Sequence, residues 1–169
     1  VYERILVAID GSDTAQVALL QGIQLAREQQ ARLRLVHVVD ELAVTFEKPR
    51  TPDAFWKAAR KAGRRILADA SVRAVKAGIE PQTKLVEIRT LGTVVRHVAD
   101  AIVKDAERWS ADLIVIGTHG RRGLRKLFLG SVADGVVRIS GIPVLLIRGT
   151  GRKARRRRSG KPGARRARA

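Results

Sequence analysis

Leu113-Ile114-Val115-Ile116-Gly117-Thr118-His119-Gly120 is the stretch on which the fold of this chain turns. Four consecutive β-favouring residues bounded by glycine predict a strand buried on both faces. A basic loop follows from Arg121 to Leu129 and is closed by Gly130-Ser131. Beyond it Val132, Ala133, Val136, Val137 and Ile139 recur at helical spacing, which sets Ser131 at a helix N-terminus. A glycine turn after a buried strand, followed by a helix start, is how an α/β protein builds a phosphate site. Glycine lets the backbone approach the ligand, and the unpaired N–H groups of the first helical turn supply positive partial charge.

Three glycines set the pattern, at Gly117, Gly120 and Gly130, with two and nine residues between them and Ser131 after the last. It is not a phosphate-binding P-loop, because no Gly-Lys-Ser/Thr occurs, nor a dinucleotide fingerprint, because no G-x-G-x-x-G follows a strand. Spacing alone fits two accounts equally, a phosphate cradle and a strand-turn-helix whose glycines only relieve tight turns. The rest of the chain discriminates between them.

Upstream, Ile5-Leu6-Val7-Ala8-Ile9 is another continuous apolar run, ending in Asp10-Gly11-Ser12, and predicts the central strand of a parallel sheet. Ser12 or Asp13 is suited to cap the next helix, whose inward positions are Ala15, Ala18, Leu19, Gly22, Ile23 and Ala26. Leu33 to Val39 predicts a second strand containing His37, and residues 41 to 52, with Pro49 and Pro52, a loop. A long helix from about Asp53 to Gly78 has Phe55, Ala59, Ala62, Ile66, Ala70 and Ala74 on its apolar face and Arg and Lys on the other. Thr83 to Ile88 is a short third strand. The next helix carries Leu91, Val94, Val95, Val98, Ile102, Val103 and Ala106, and Pro143 opens a last strand, Val144 to Ile147.

Strands and helices alternate throughout, which predicts an α/β fold: a doubly wound, open, five-stranded parallel sheet with helices on both faces. With the order 3-2-1-4-5, the strand order reverses between strands one and four. Ligands of such folds bind at that point, outside the carboxyl ends of the strands, which here means between Asp10 and Gly117. Two separately identified features meet there, and the nucleotide reading moves ahead of the purely structural one.

The glycine-serine pattern, the run Gly-Arg-Arg-Gly-Leu at residues 120 to 124 and the opening Ile5 to Ser12 resemble the universal stress protein family, in its ATP-binding branch. Leu35 to Asp40 resembles the family's second strand and Pro143 to Ile147 its last, so the likeness spans about residues 2 to 148. The resemblance implies that Asp10 and Ala8 lie on the nucleoside side of the pocket and that the Val38 backbone reads the adenine edge. It implies further that Gly117, Thr118, His119, Gly120, Arg121, Arg122 and Gly123, with Gly130, Ser131, Val132 and Ala133, cradle ribose and phosphates. The implied cofactor is ATP, with Mg²⁺ or Mn²⁺ held through the phosphates, and the implied assembly is a homodimer through Val144 to Ile147. Each residue also has a plainer role: helix capping for Asp10, sheet packing for Val38.

Other candidates carry less. His119 has no second His, Cys or neighbouring acid in sequence with which to form a metal site or triad. His37, within an apolar strand, is expected to be a satisfied core histidine and His97 a partly exposed one. Trp56 and Trp109 are isolated and read as packing residues. The chain has no cysteine, which excludes disulfides and Cys-based metal sites and fits a cytoplasmic location. No signal peptide or apolar run of membrane-spanning length is visible.

The net charge of +18 is unevenly placed. Residues 151 to 169 hold ten cations and no acid, which leaves 24 cations against 16 acids in residues 1 to 150. The chain therefore divides into a nucleotide-binding domain, 1 to 150, and an Arg-rich tail, 151 to 169, expected from composition to be disordered. Its chemistry suits sequence-nonspecific binding of nucleic acid or another polyanion, although a merely solubilising tail would look the same. The expected function is an ATP-binding stress sensor or regulator with little or slow hydrolysis, since no general base stands out. The alternative is a nucleic-acid-associated protein using the α/β domain as a dimeric scaffold. A third reading, an adenylate-forming or electron-transfer enzyme, lacks the extra substrate or flavin elements.

Overall fold

The computed structural model describes residues 1–40, 52–88, 94–118 and 129–149. Among them strands and helices alternate as β1 (Arg4–Ala8), α1 (Asp13–Gln29), β2 (Arg32–Asp40), α2 (Pro52–Lys76), β3 (Gln82–Ile88), α3 (Val94–Arg108), β4 (Leu113–Gly117), α4 (Ser131–Ile139) and β5 (Val144–Ile147). The strands form one parallel sheet in the order β3-β2-β1-β4-β5. This is the expected order, with β1 at the centre.

The continuous apolar runs follow from that centre. Alternate residues of a strand face opposite sides, and each side of β1 and β4 meets a helical layer. Ile5, Val7, Leu113 and Val115 pack with Ala18, Leu19 and Ile23 of α1 and Leu67, Ala70 and Ala74 of α2. Leu6, Ala8, Ile114 and Ile116 pack with Ala99, Ile102 and Val103 of α3 and Ala133 and Val136 of α4. Neither face meets water, so no polar alternation survives in the sequence.

Helix α1 buries the six positions read from its periodicity, and Ser12 is its N-cap, the hydroxyl accepting from the Ala15 N–H at 3.2 Å. Helix α2 differs from expectation. Its buried residues include Trp56, Ala59, Gly63, Leu67, Ala70 and Ala74, while Ala62 is exposed and Phe55 and Ile66 are half-buried. Gly63 explains the rotation: a Cβ there would stand 2.7 Å from Leu85 Cδ1 and 2.8 Å from His37 Cδ2, so the helix presses its bare backbone onto β2 and β3. In α3 the buried set includes Ala99 alongside Ile102, Val103 and Ala106. Leu91 lies outside the described residues, as do the side chains of Val94 and Val95. In α4, Val137 and Ile139 are exposed, at 45% and 46%.

Candidate functional site

The carboxyl ends of β1 and β4 lie side by side, Ala8 opposite Ile116. Beyond β1 the Ile9 N–H donates to the Val36 carbonyl at 2.9 Å, which carries the chain to the sheet's edge before it turns. There the Asp10 carboxylate accepts from the Ser12 N–H at 2.9 Å, closing a short turn that presents Ser12 as the cap of α1. Asp10 is thus a turn former, and the capping role expected of Ser12 or Asp13 belongs to Ser12. His37 is 7% exposed, and its Nδ1 lies 2.7 Å from the Ile9 carbonyl. A carbonyl only accepts, so Nδ1 carries the proton in this contact. The core-histidine reading holds, and this histidine anchors the strand end that leads into Asp10.

On the other side of the crevice, β4 ends at Gly117, packed against the first turn of α1. A Cβ at Gly117 would stand 2.9 Å from Thr14 Cγ2, 3.2 Å from the Thr14 carbonyl carbon and 3.3 Å from the Ala15 nitrogen. Thr118 is 5% exposed. Its N–H donates to the Ile147 carbonyl at 2.8 Å, and its carbonyl accepts from the Gly130 N–H at 2.7 Å. The second bond brings the chain back beside the end of β4, so α4 begins at the mouth of the crevice.

Gly130 is the N-cap of α4 and supplies no side-chain cap. The first bond within the helix runs from the Asp134 N–H to the Gly130 carbonyl at 2.9 Å. The N–H groups of Ser131, Val132 and Ala133 precede that bond and have no intrahelical acceptor. Ser131 is exposed, Val132 half-buried and Ala133 buried. Asp134 would oppose an anion at this helix start, but its carboxylate accepts from Arg138 Nε at 2.8 Å. That hydrogen bond, and then the Asp134 charge, raise the Arg138 pKa.

The structure therefore gathers Asp10, Gly117, Thr118, Gly130, Ser131, Val132 and Ala133 at one edge of the sheet. Ala8 is the buried last residue of β1, and Val38 is half-buried near the end of β2 on the α3–α4 face. His119, Gly120, Arg121, Arg122 and Gly123 lie outside the described residues, as does the tail from Gly151 to Ala169. Sequence reasoning missed Thr14. Its methyl abuts Gly117, and a Cβ at Gly149 would stand 2.8 Å from its hydroxyl oxygen. The only signal was two glycines, one closing β4 and one just past β5, each requiring a neighbour that the sequence does not name.

A separate open groove of about 470 Å³ lies between β3 and α3. Four of its lining charges are paired: Lys104 with Asp100 at 2.7 Å, Glu87 with Arg60 at 3.3 Å, and Asp105 with Arg34 through two bonds of 2.9 and 3.1 Å. Among the described residues no group of three or more His, Asp or Glu is placed to hold a metal, and no helix is long and apolar enough to cross a membrane.

The model of the universal stress protein family matches residues 1–148. The chain is 34% identical over 155 residues to universal stress protein YxiE of Bacillus subtilis, covering 87% of this chain and 99% of that one. A crystal structure of a universal stress protein family member from Burkholderia pseudomallei is 36% identical, with a TM-score of 0.67 over 86% of this chain and 96% of that one. A universal stress protein solved in complex with cAMP is 28% identical, with a TM-score of 0.64 over 88% of this chain and 99% of that one. A family match over nearly nine-tenths of the chain, on a sheet of the order read from its sequence, makes this chain a member of the universal stress protein family.

Proposed function

We propose that the crevice between the carboxyl ends of β1 and β4 binds ATP, and that the protein acts as a nucleotide-dependent stress sensor or regulator with slow hydrolysis at most. The observation that carries this reading is the Gly130–Thr118 hydrogen bond, which sets the open N-terminus of α4 beside the end of β4, the neighbour of the strand that leads into Asp10. Free N–H groups and the helix dipole favour phosphate there, and Asp10 is a carboxylate suited to ribose hydroxyls. The relative that binds cAMP supports an adenine nucleotide as the ligand class. In this reading Ala8 and Val38 floor the base side, and Gly117 to Gly123 with Gly130 to Ala133 enclose the phosphates.

Mg²⁺ or Mn²⁺ would enter with the nucleotide, held by phosphate oxygens and water, with the Ser131 hydroxyl of the cradle offered to the metal. Fast phosphoryl transfer also needs metal-holding acids and a positioned base, and the proposed cradle contains one carboxylate, Asp10. Turnover well below the median enzyme rate of roughly 10 per second is expected. The protein assembles as a homodimer through β5, an edge strand with Leu145 exposed. Mass spectrometry of nucleotide carried through purification, followed by calorimetric titration with ATP and Mg²⁺, tests the reading. Absence of any bound nucleotide together with no heat on titration would refute it.

A further inference from the structure

Helix α2 carries seven cations and two acids, Asp53 and Asp69, a net +5 on 25 residues. That is more than half of the +8 carried by residues 1 to 150. The charge is concentrated further: Lys57, Arg60, Lys61, Arg64 and Arg65 fall within about 12 Å of helix rise. Lys57, Lys61, Arg64 and Arg65 are exposed, and none has an ion pair or side-chain hydrogen bond among the described residues. Arg60 reaches Glu87 at 3.3 Å, in a pair about one-third exposed on both sides. Like charges three and four residues apart on a helix repel, so this arrangement weakens the free helix. Its apolar side is already occupied, with Trp56, Ala59, Leu67, Ala70 and Ala74 turned onto the sheet.

We propose that the exposed face of α2 from Lys57 to Arg65 is a docking surface for the phosphate backbone of double-stranded nucleic acid, bound without base-sequence preference. Charge complementarity selects the partner. One DNA strand presents a phosphate about every 3.4 Å of axis, a density that four or five cations over about 12 Å match. The duplex is favoured over single strands because the face offers no free stacking ring: Trp56 is buried, and Phe55 is half-buried in a T-shaped contact with Trp56. No Asn or Gln occurs on α2, so the adenine-reading amides are missing. An anionic membrane is disfavoured because a surface-lying helix inserts its apolar face into the bilayer, and that face of α2 is committed to the core. None of these cations is among the residues gathered around the nucleotide crevice.

The test uses the full chain and a 20-base-pair DNA of arbitrary sequence, followed by fluorescence anisotropy from low to physiological salt. The variant K57Q/K61Q/R64Q/R65Q keeps good helix formers on exposed positions, and an unchanged circular dichroism melt shows that it folds. Its log K against log salt slope should be shallower than the parent's by about 2 to 4 units, at roughly 0.9 per phosphate contact. Its affinity at low salt should fall roughly tenfold or more. The charge-keeping variant R64K/R65K should retain the parent slope. A matched tail variant, R155Q/R156Q/R157Q/R158Q, separates the two basic elements. If the α2 variant binds within twofold of the parent with the same slope, the surface is not a binding site and the proposal fails. Loss of association with phosphatidylserine vesicles, with DNA binding intact, would overturn it in favour of a membrane.

Discussion

Thr14, in the first turn of α1, packs its methyl against the bare Cα of Gly117: a Cβ at 117 would stand 2.9 Å from Thr14 Cγ2. Two backbone atoms, the Thr14 carbonyl carbon and the Ala15 nitrogen, lie at 3.2 and 3.3 Å from the same point. Gly117→Ala should therefore displace the start of α1 from the end of β4 and destabilise the fold by about 1 to 3 kcal/mol. Adding Thr14→Ala should recover part of that loss, because the methyl is one of three obstacles, and a double-mutant cycle in urea measures the coupling. A denaturation midpoint unmoved by Gly117→Ala would show that α1 shifts at no cost.

Much of this architecture is legible in the sequence because burial on both faces leaves a plain signal. Ile5 to Ile9 and Leu113 to Ile116 alternate between two helical layers and so read as unbroken apolar runs. The periodicity of helix α2 reads Ala59, Ala70 and Ala74 as inward, which they are, but falls one step short at Phe55, Ala62 and Ile66. Alanine fits either environment, and Gly63, which seats the helix, counts as nothing on an apolar scale; Phe55 and Ile66 therefore mimic the inward face that belongs to Trp56 and Leu67. Asp10 and the glycines of the crevice announce themselves by type and spacing. Thr14 does not, because its role rests on contact between α1 and strand ends distant in sequence, and a hydroxyl at a helix start already has an ordinary explanation.

Arg34 and Asp105 form a bidentate pair with side chains 16% and 8% exposed. Arg34 also donates to Gln82 Oε1 at 3.2 Å and lies 5.5 Å from the ring centre of Trp109. Removing one partner strands the other in a largely desolvated position, so Asp105→Leu should cost about 3 kcal/mol. The double variant Arg34→Met with Asp105→Leu should cost less than the single one, since apolar replacements of a buried pair are often tolerated. Equal losses in thermal or urea unfolding would mean that the pair contributes through packing alone.

Gly130 has φ −60° and ψ 145°, angles open to any residue. Gly130→Val should therefore fold with its Thr118 hydrogen bond in place while its side chain stands where phosphate would approach the α4 N-terminus. A melting temperature near the parent's combined with at least a tenfold loss of ATP affinity is expected. Calorimetry showing parental ATP affinity in this variant would remove the phosphates from this cradle.

Strand β5 ends the sheet, and its outer edge has no strand beside it among the described residues. Leu145 is 37% exposed there, and Val137 and Ile139 of α4 add exposed apolar surface. An apolar edge with open pairing groups favours a second chain. Light scattering at micromolar concentration should report a dimer, and Leu145→Lys should shift it toward monomer. A parent that is monomeric under those conditions would refute assembly through β5.

The Arg-rich tail should be separable from the nucleotide crevice. Strand β5 ends at Ile147, so deleting residues 151 to 169 removes no described strand or helix and none of the residues gathered around Asp10 and Gly130. The deletion removes ten cations and no acid, taking the formal charge from +18 to +8. Long-range attraction between a tail of that charge and ATP is screened beyond roughly 8 Å at physiological ionic strength. ATP affinity of the truncated chain at physiological salt should therefore stay within about threefold of the parent. Binding to duplex DNA should weaken, its salt slope falling by about 0.9 for each phosphate that the tail had neutralised. The two titrations, run on the same pair of proteins, distinguish the roles. A large loss of ATP affinity on truncation would place tail cations on the nucleotide phosphates, and an unchanged DNA slope would remove the tail from nucleic-acid binding.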